Sequence, residues 1–213
     1  MTSPPAMSQP APSAVRLVPL AAFTGGYLLV AVAASWRFGN KEFLFYIITM
    51  LLLIAAVMMI HRRMPLRGAQ LWCLSLWGLA HMAGGLWPLA ETANIDGGQP
   101  VLYSLWLLPG MLKYDQLVHA YGFAITTWIC WHGLRQHLLE RGGSPVLPTL
   151  GLLTLAASGG MGFGALNEVI EFIAVLTIPN TNVGGYENTG WDLVFNLLGC
   201  LIATVMIRLR WWT

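Results

Sequence analysis

A succession of apolar runs, each near the length of one bilayer crossing, decides what this chain can fold into. The hydrocarbon core is about 30 Å thick and takes about 20 apolar residues per helix. The stretches Leu17–Trp36, Phe43–Ile60, Ala69–Leu89, Lys113–Leu134, Val146–Ile178 and Trp191–Ile207 meet or approach that length. Only 9% of the residues are charged, against about 25% in an ordinary soluble domain, so the chain lacks the material for a hydrated surface. A soluble enzyme and a nucleic-acid binder with a basic face are thereby excluded. The reading is an all-α, polytopic transmembrane helix bundle of about six spans, residues 15–213 forming one domain.

Residues 1–14, rich in Pro, Ser and Ala and free of charge, read as a disordered leader. Ala31-Val32-Ala33 resembles a small-residue cleavage site, but the apolar run is long and only Arg16 precedes it. The first span is therefore expected to be retained. Cys73, Cys130 and Cys200 lie in apolar stretches and make no disulfide framework. Most tryptophans fall near expected membrane edges, where indoles anchor.

Cations mark the cytoplasmic side. His61-Arg62-Arg63-Met64-Pro65-Leu66-Arg67 is the strongest such segment, and it places both termini inside. Arg16, Arg62, Arg63, Arg67, Arg135, Arg141, Arg208 and Arg210 then face Glu140 alone on the inner side. Arg37, Lys41 and Lys113 share the outer side with Glu42, Glu91, Asp96, Asp115, Glu168, Glu171, Glu187 and Asp192. The small net charge of +2 resolves into +7 inside and −5 outside. A membrane is the expected location, with the lipid bilayer as partner.

The fifth stretch is anomalous: its 33 residues would make a helix of about 50 Å. Gly159, Gly160, Gly162 and Gly164 within it predict close approach of a neighbouring helix, or a kink. The third loop is not a plain linker. Val101–Leu108 is apolar and aromatic, and either lies in the interface or folds back over the outer face. Pro179–Gly190 reads as a flexible turn region.

Ionisable groups inside a membrane are costly and persist when paired or functional. Asp115 and His119 are four apart on helix four, and Glu168 and Glu171 three apart on helix five, where Asn167 joins them. Asp192 and Asn196 share a stripe on helix six. Helix rise puts His81 about 10 Å and His119 about 9 Å below the outer face, at one level. The spacing thus predicts one outward-facing polar cluster. Two histidines with several carboxylates suit a divalent metal such as zinc, manganese or iron. They equally suit a proton relay or substrate pocket, or general acid–base catalysis. On the metal reading His81, His119 and Asp192 are the candidate ligands. Asp115, Glu168 and Glu171 are the catalytic candidates, with Asn167 and Asn196 in support. No HExxH, GxSxG or P-loop motif narrows the choice.

Four motifs resemble the YjdF-like family of bacterial inner-membrane proteins. Tyr114-Asp115-Gln116-Leu117-Val118-His119 is similar to its YD-x-LVH motif, and His81-Met82-Ala83-Gly84-Gly85 to its His-x-x-Gly-Gly stretch. Asn167–Phe172 resembles its E-x-x-E helix, and Trp191–Gly199 its closing W-D…LLG helix. VanZ-like membrane proteins share the D-x-x-x-H and D-x-x-x-N-x-x-G helices, but here E-x-x-E replaces E-x-x-Q. The resemblance spans roughly Ala69 to Ala203 and implies a membrane fold. The family has no established reaction, so it implies no catalytic role.

The leading expectation is metal-dependent binding or catalysis on a lipid-linked or cell-envelope substrate. One rival is a proton- or cation-coupled small transporter, for which no inverted repeat is visible. The other is a structural or assembly subunit with the cluster as helix glue.

Overall fold

The computed structural model describes residues 17–39, 41–97, 99–142, 145–179 and 181–212. The leader expected at residues 1–14, and Arg16, lie outside them. Six α-helices account for the described chain: α1 Leu17–Phe38, α2 Lys41–Arg63, α3 Gly68–Leu86, α4 Tyr114–Gly142, α5 Leu150–Thr177 and α6 Tyr186–Arg208. Between α3 and α4 lie a 3-10 turn, Leu102–Ser104, and a small antiparallel pair, β1 Trp106–Leu108 and β2 Leu112–Lys113.

Helix ends follow local chemistry. Gly39, at φ 64°, closes α1 in the left-handed conformation that glycine adopts at low cost. Pro65 follows the end of α2, and the imidazole Nδ1 of His61 accepts the Leu66 N–H at 3.0 Å across the turn. Gln116, three residues into α4, accepts the Lys113 N–H at 2.9 Å, which is half of a capping box. Thr149 caps α5, its Oγ1 accepting from Leu152 N.

Helices α1, α2, α5 and α6 are long and apolar enough to cross a membrane on composition alone. The other two do not meet that criterion; α4 is largely covered by neighbours, while α3 leaves Trp72 and Leu76 exposed. α3 packs against α1, α2 and α4, while α4 packs against α3, α5 and α6. Buried residues of α4 include Gln116, His119, Thr127 and His132, polar groups that other helices cover. The bundle therefore holds six helices while its lipid-facing surface needs fewer apolar ones.

Lipid gives helices no hydrophobic reason to associate, so close packing and polar ties carry the load. At Gly199 of α6 a Cβ would strike the backbone carbonyl of Ala120 on α4. On α5, Gly160 sits against Thr127 and Cys200, and Gly164 against Asn196. Gly159, Gly160 and Gly164 thus serve close approach while Gly162 meets nothing within 4 Å, and α5 runs unbroken for 28 residues. Its predicted first residues, 146–148, are irregular, and Thr149 is the cap. A second seam joins α3 to α4: Trp77 Nε1 donates to Val118 O at 3.2 Å, Tyr114 Oη to Ala80 O at 3.1 Å and Tyr121 Oη to Cys73 O at 3.1 Å.

Apolar residues fill in behind these ties. Ile125, Trp128, Trp131, Leu153, Ala156 and Ile207 form a core at the arginine-bearing end of α4, α5 and α6. Trp128 stacks on Trp212 with centroids 4.7 Å apart and donates to its carbonyl. Trp131 is only 1% exposed. Trp128 and Trp131 are core residues, contrary to the expectation of interfacial anchors, because α5 and the chain end cover them.

Chain direction alternates, so the charges separate. Arg62, Arg63, Arg67, Arg135, Arg141 and Arg208 fall at one end of the bundle. Asp96, Lys113 and the loops around them fall at the other, hereafter the acidic end. There the long α3–α4 connection folds back as a cover. Isolated bridges pair Pro88 with Val101 and Ile95 with Leu105, and Tyr103 reaches down to Gly84 of α3.

Candidate functional site

His119 is the centre of the acidic end. It lies in the second turn of α4, is 2% exposed and has carboxylates around its ring. Asp115, one turn earlier on the same face, places Oδ1 3.7 Å from Nε2. Asp192 of α6 places Oδ1 4.0 Å from Nε2. Glu168 of α5 stands on the other side, Oε1 3.8 Å from Nδ1. The closest partner is Asn196 of α6, whose Oδ1 lies 2.9 Å from Nδ1. With Nδ1–H donated to Asn196, the Nε2 lone pair faces Asp115 and Asp192. That is how an outer-shell acceptor sets the tautomer of a ligating histidine.

Two triads could supply ligand atoms within 4.8 Å of one another: Asp115, His119 and Asp192, and His119, Glu168 and Glu171. Glu168 Oε1 and Oε2, Asp192 Oδ1 and Asn196 Nδ2 are buried without a hydrogen-bond partner among the described residues. Buried polar atoms are normally satisfied, and leaving one unmet costs about 1–3 kcal/mol, more for a charge. This concentration of three unmet carboxylate oxygens and one amide donor beside one imidazole is the chemical signature of the site.

Outer partners hold the carboxylates in place. Asn167 Nδ2 donates to Glu171 Oε1 at 2.7 Å, one turn apart on α5. Asn188 Nδ2 donates to Asp192 Oδ2 at 2.6 Å on α6. Lys113, itself buried, donates to Asn188 Oδ1 at 2.8 Å and to Asp96 Oδ2 at 3.0 Å. It thus fastens the cover to α6 while bringing one positive charge to an acidic neighbourhood.

A cavity of about 400 Å³ opens beside the cluster, lined by Asp115, Glu171, Asn167 and Lys113 as well as by His81 and Trp77 of α3. His81 faces this cavity from the wall opposite α5 and belongs to neither triad. Its Nδ1 is bonded to the Tyr103 hydroxyl, which also donates to the His81 carbonyl at 3.0 Å. Burial, reinforced by the charges of Asp115 and Glu171, pushes the Tyr103 hydroxyl above its ordinary pKa, so it stays protonated. The roof is clasped by Glu42 at the start of α2, whose Oε2 accepts the Asn182 N–H at 2.9 Å.

The site therefore brings together Asp115, His119, Glu168, Glu171, Asp192 and Asn196, with Asn167 behind Glu171 and His81 across the cavity. Lys113, Asn188, Tyr103 and Glu42 belong to it as well and were not singled out from the sequence. Lys113 carried a signal, since it is a lone cation just before the Tyr114–His119 motif. Asn188 falls in the stretch 179–190 whose composition predicts a flexible turn region, but α6 begins at Tyr186 and carries it into register with Asp192, one turn on.

The family model described as "Predicted membrane protein (DUF2238)" matches residues 19–211. The chain belongs to the DUF2238 family. Comparison with curated proteins and with solved structures finds no match. The DUF2238 match covers every helix that builds the cluster, from His81 on α3 to Asn196 on α6.

Proposed function

We propose that this DUF2238 protein holds a divalent cation at its acidic end, and that the cavity beside it binds a lipid-linked or cell-envelope substrate. The carrying observation is the set of buried, unmet carboxylate oxygens on Glu168 and Asp192 around a histidine whose Nε2 faces two aspartates. Asp115, His119 and Asp192 would hold the cation, and the mixed imidazole–carboxylate donors suit zinc, manganese or iron. Bound there, such a cation would polarise a substrate oxygen or acidify a water. Glu168 and Glu171 stand on the other side of the imidazole, where a carboxylate can take or give a proton. The arginine-bearing end would face the cytoplasm and the site the outside of the bacterial inner membrane. Within DUF2238 the motifs at His81–Gly85, Tyr114–His119, Asn167–Phe172 and Trp191–Gly199 favour a place among the YjdF-like members.

Metal analysis of the purified protein, repeated on His119→Ala and Glu168→Ala, tests the reading. A bound divalent metal that falls to background in His119→Ala is the expected result. Metal-free wild type after exposure to zinc, manganese and iron(II) overturns it.

A further inference from the structure

The cavity has a polarity gradient that the metal reading leaves unused. Its carboxylates, Asp115 and Glu171 among them, lie toward the acidic end; Glu171 is about 9 Å below the end of α5 by helix rise, and Asn167 about 15 Å. Along α2 the lining continues as a helical stripe, Phe43, Tyr46, Met50 and Leu53. Leu53 is about 18 Å below the start of that helix, at the depth of acyl chains rather than headgroups. Ile170 faces the cavity from α5. Along the α2 wall the interior thus passes from the carboxylates of the acidic end to hydrocarbon at Met50 and Leu53, while Ile170 stands beside Glu171 at about the same level.

The flanks of the cavity decide how it is entered. α2 packs against α1 and α3, and α5 against α4 and α6, while no extended helix packing joins α2 to α5 among the described residues. From the water side the way is narrowed by the Glu42–Asn182 clasp and by the cover that Lys113 ties to α6. Leu53 both lines the cavity and is 36% exposed, so it stands at a rim between the cavity and the lipid face. That face is continuous with it: Leu52 on α2 and Val169 on α5 are exposed apolar neighbours of the rim. A volume near 400 Å³ falls within the range of about 300–1,000 Å³ usual for small-ligand sites.

We infer that a membrane lipid enters this cavity sideways between α2 and α5, its hydrocarbon chain against Met50, Leu53 and Ile170 and its headgroup beside Asp115 and Glu171. This assignment rests on the reading of the acidic cluster as the polar end of a substrate site. It deepens that reading by naming the substrate class and its route.

The test uses the full chain in nanodiscs containing a phosphatidylethanolamine with a diazirine on its acyl chain, irradiated and mapped by peptide mass spectrometry. Adducts should concentrate on Met50, Leu53 and Ile170 over their lipid-facing neighbours Leu52 and Val169. The double substitution Leu53→Trp, Ile170→Trp should lower labelling of Met50 by about tenfold or more, because filled space removes the chain's contacts. Leu52→Trp should leave it unchanged. Adducts spread evenly over Leu52, Leu53, Val169 and Ile170 overturn the inference, and the wild-type map decides this even where the double variant fails to fold. Metal content measured on the same preparations separates the two readings. Retained metal with even labelling removes the lipid route alone, whereas metal-free protein with concentrated labelling removes the cation and leaves the route standing.

Discussion

Asn188 joins Lys113 to Asp192: its Oδ1 accepts from Lys113 Nζ at 2.8 Å while its Nδ2 donates to Asp192 Oδ2 at 2.6 Å. One amide thereby couples the base of the cover to a candidate cation ligand. Both functions of the amide are needed, since a carboxylate cannot donate and an ammonium cannot accept. Asn188→Leu should weaken divalent-cation binding about 10–100-fold, the usual effect of losing an outer-shell partner. Calorimetric titration of the purified variant with zinc or manganese measures it, and an unchanged Kd would place Asn188 outside the binding network.

On the cation proposal, removal of a bound divalent ion should cost stability. A ligand bound at 100 times its Kd stabilises the folded state by about 2.7 kcal/mol. Chelation should therefore lower the thermal midpoint of the wild type in detergent and leave that of His119→Ala unmoved. Equal responses of the two proteins would mean that the chelator acts elsewhere.

The α4–α6 seam tolerates no side chain at Gly199, where a Cβ meets the Ala120 carbonyl. Gly199→Val should destabilise by about 1–3 kcal/mol through overpacking. Gly162, with nothing within 4 Å of an added Cβ, supplies the contrast: Gly162→Ala should raise stability by up to about 1 kcal/mol. Thermal unfolding of both variants in one detergent is the measurement.

Glu42 holds the α5–α6 connection through the Asn182 N–H. A hydrogen bond to a charged group contributes about 1.5–3 kcal/mol, so Glu42→Ala should speed amide exchange over residues 181–185 about tenfold or more. Metal content should not change, because Glu42 belongs to neither triad. Unaltered exchange would show that the clasp does not restrain the roof.

The bundle was legible in the sequence because lipid imposes a simple length rule. Leu17–Trp36 and Phe43–Ile60 correspond to α1 and α2 within a few residues. The cluster was legible in part, since Asp115 and His119, or Asp192 and Asn196, share a face by spacing alone. What spacing does not carry is partnership between elements. Asn196 engages His119 across 77 positions, and Asn182 engages Glu42 across 140. The expected depth of His81 says nothing of azimuth, and Tyr103 of the cover takes its ring. The cover itself read as either of two things, because an apolar loop is as compatible with an interface as with a packed lid.

Enclosure of α4 has a consequence for how the protein is made. Gln116, His119, Thr127 and His132 are hidden by neighbouring helices, two of which, α5 and α6, are synthesised after it. Alone in a bilayer α4 would face hydrocarbon with its imidazoles and amides. The ribosome therefore releases a segment that is a poor solute for lipid until its successors arrive. Integration of α4 is thus a cooperative act of the C-terminal three helices, and truncation after residue 142 should leave it outside the membrane.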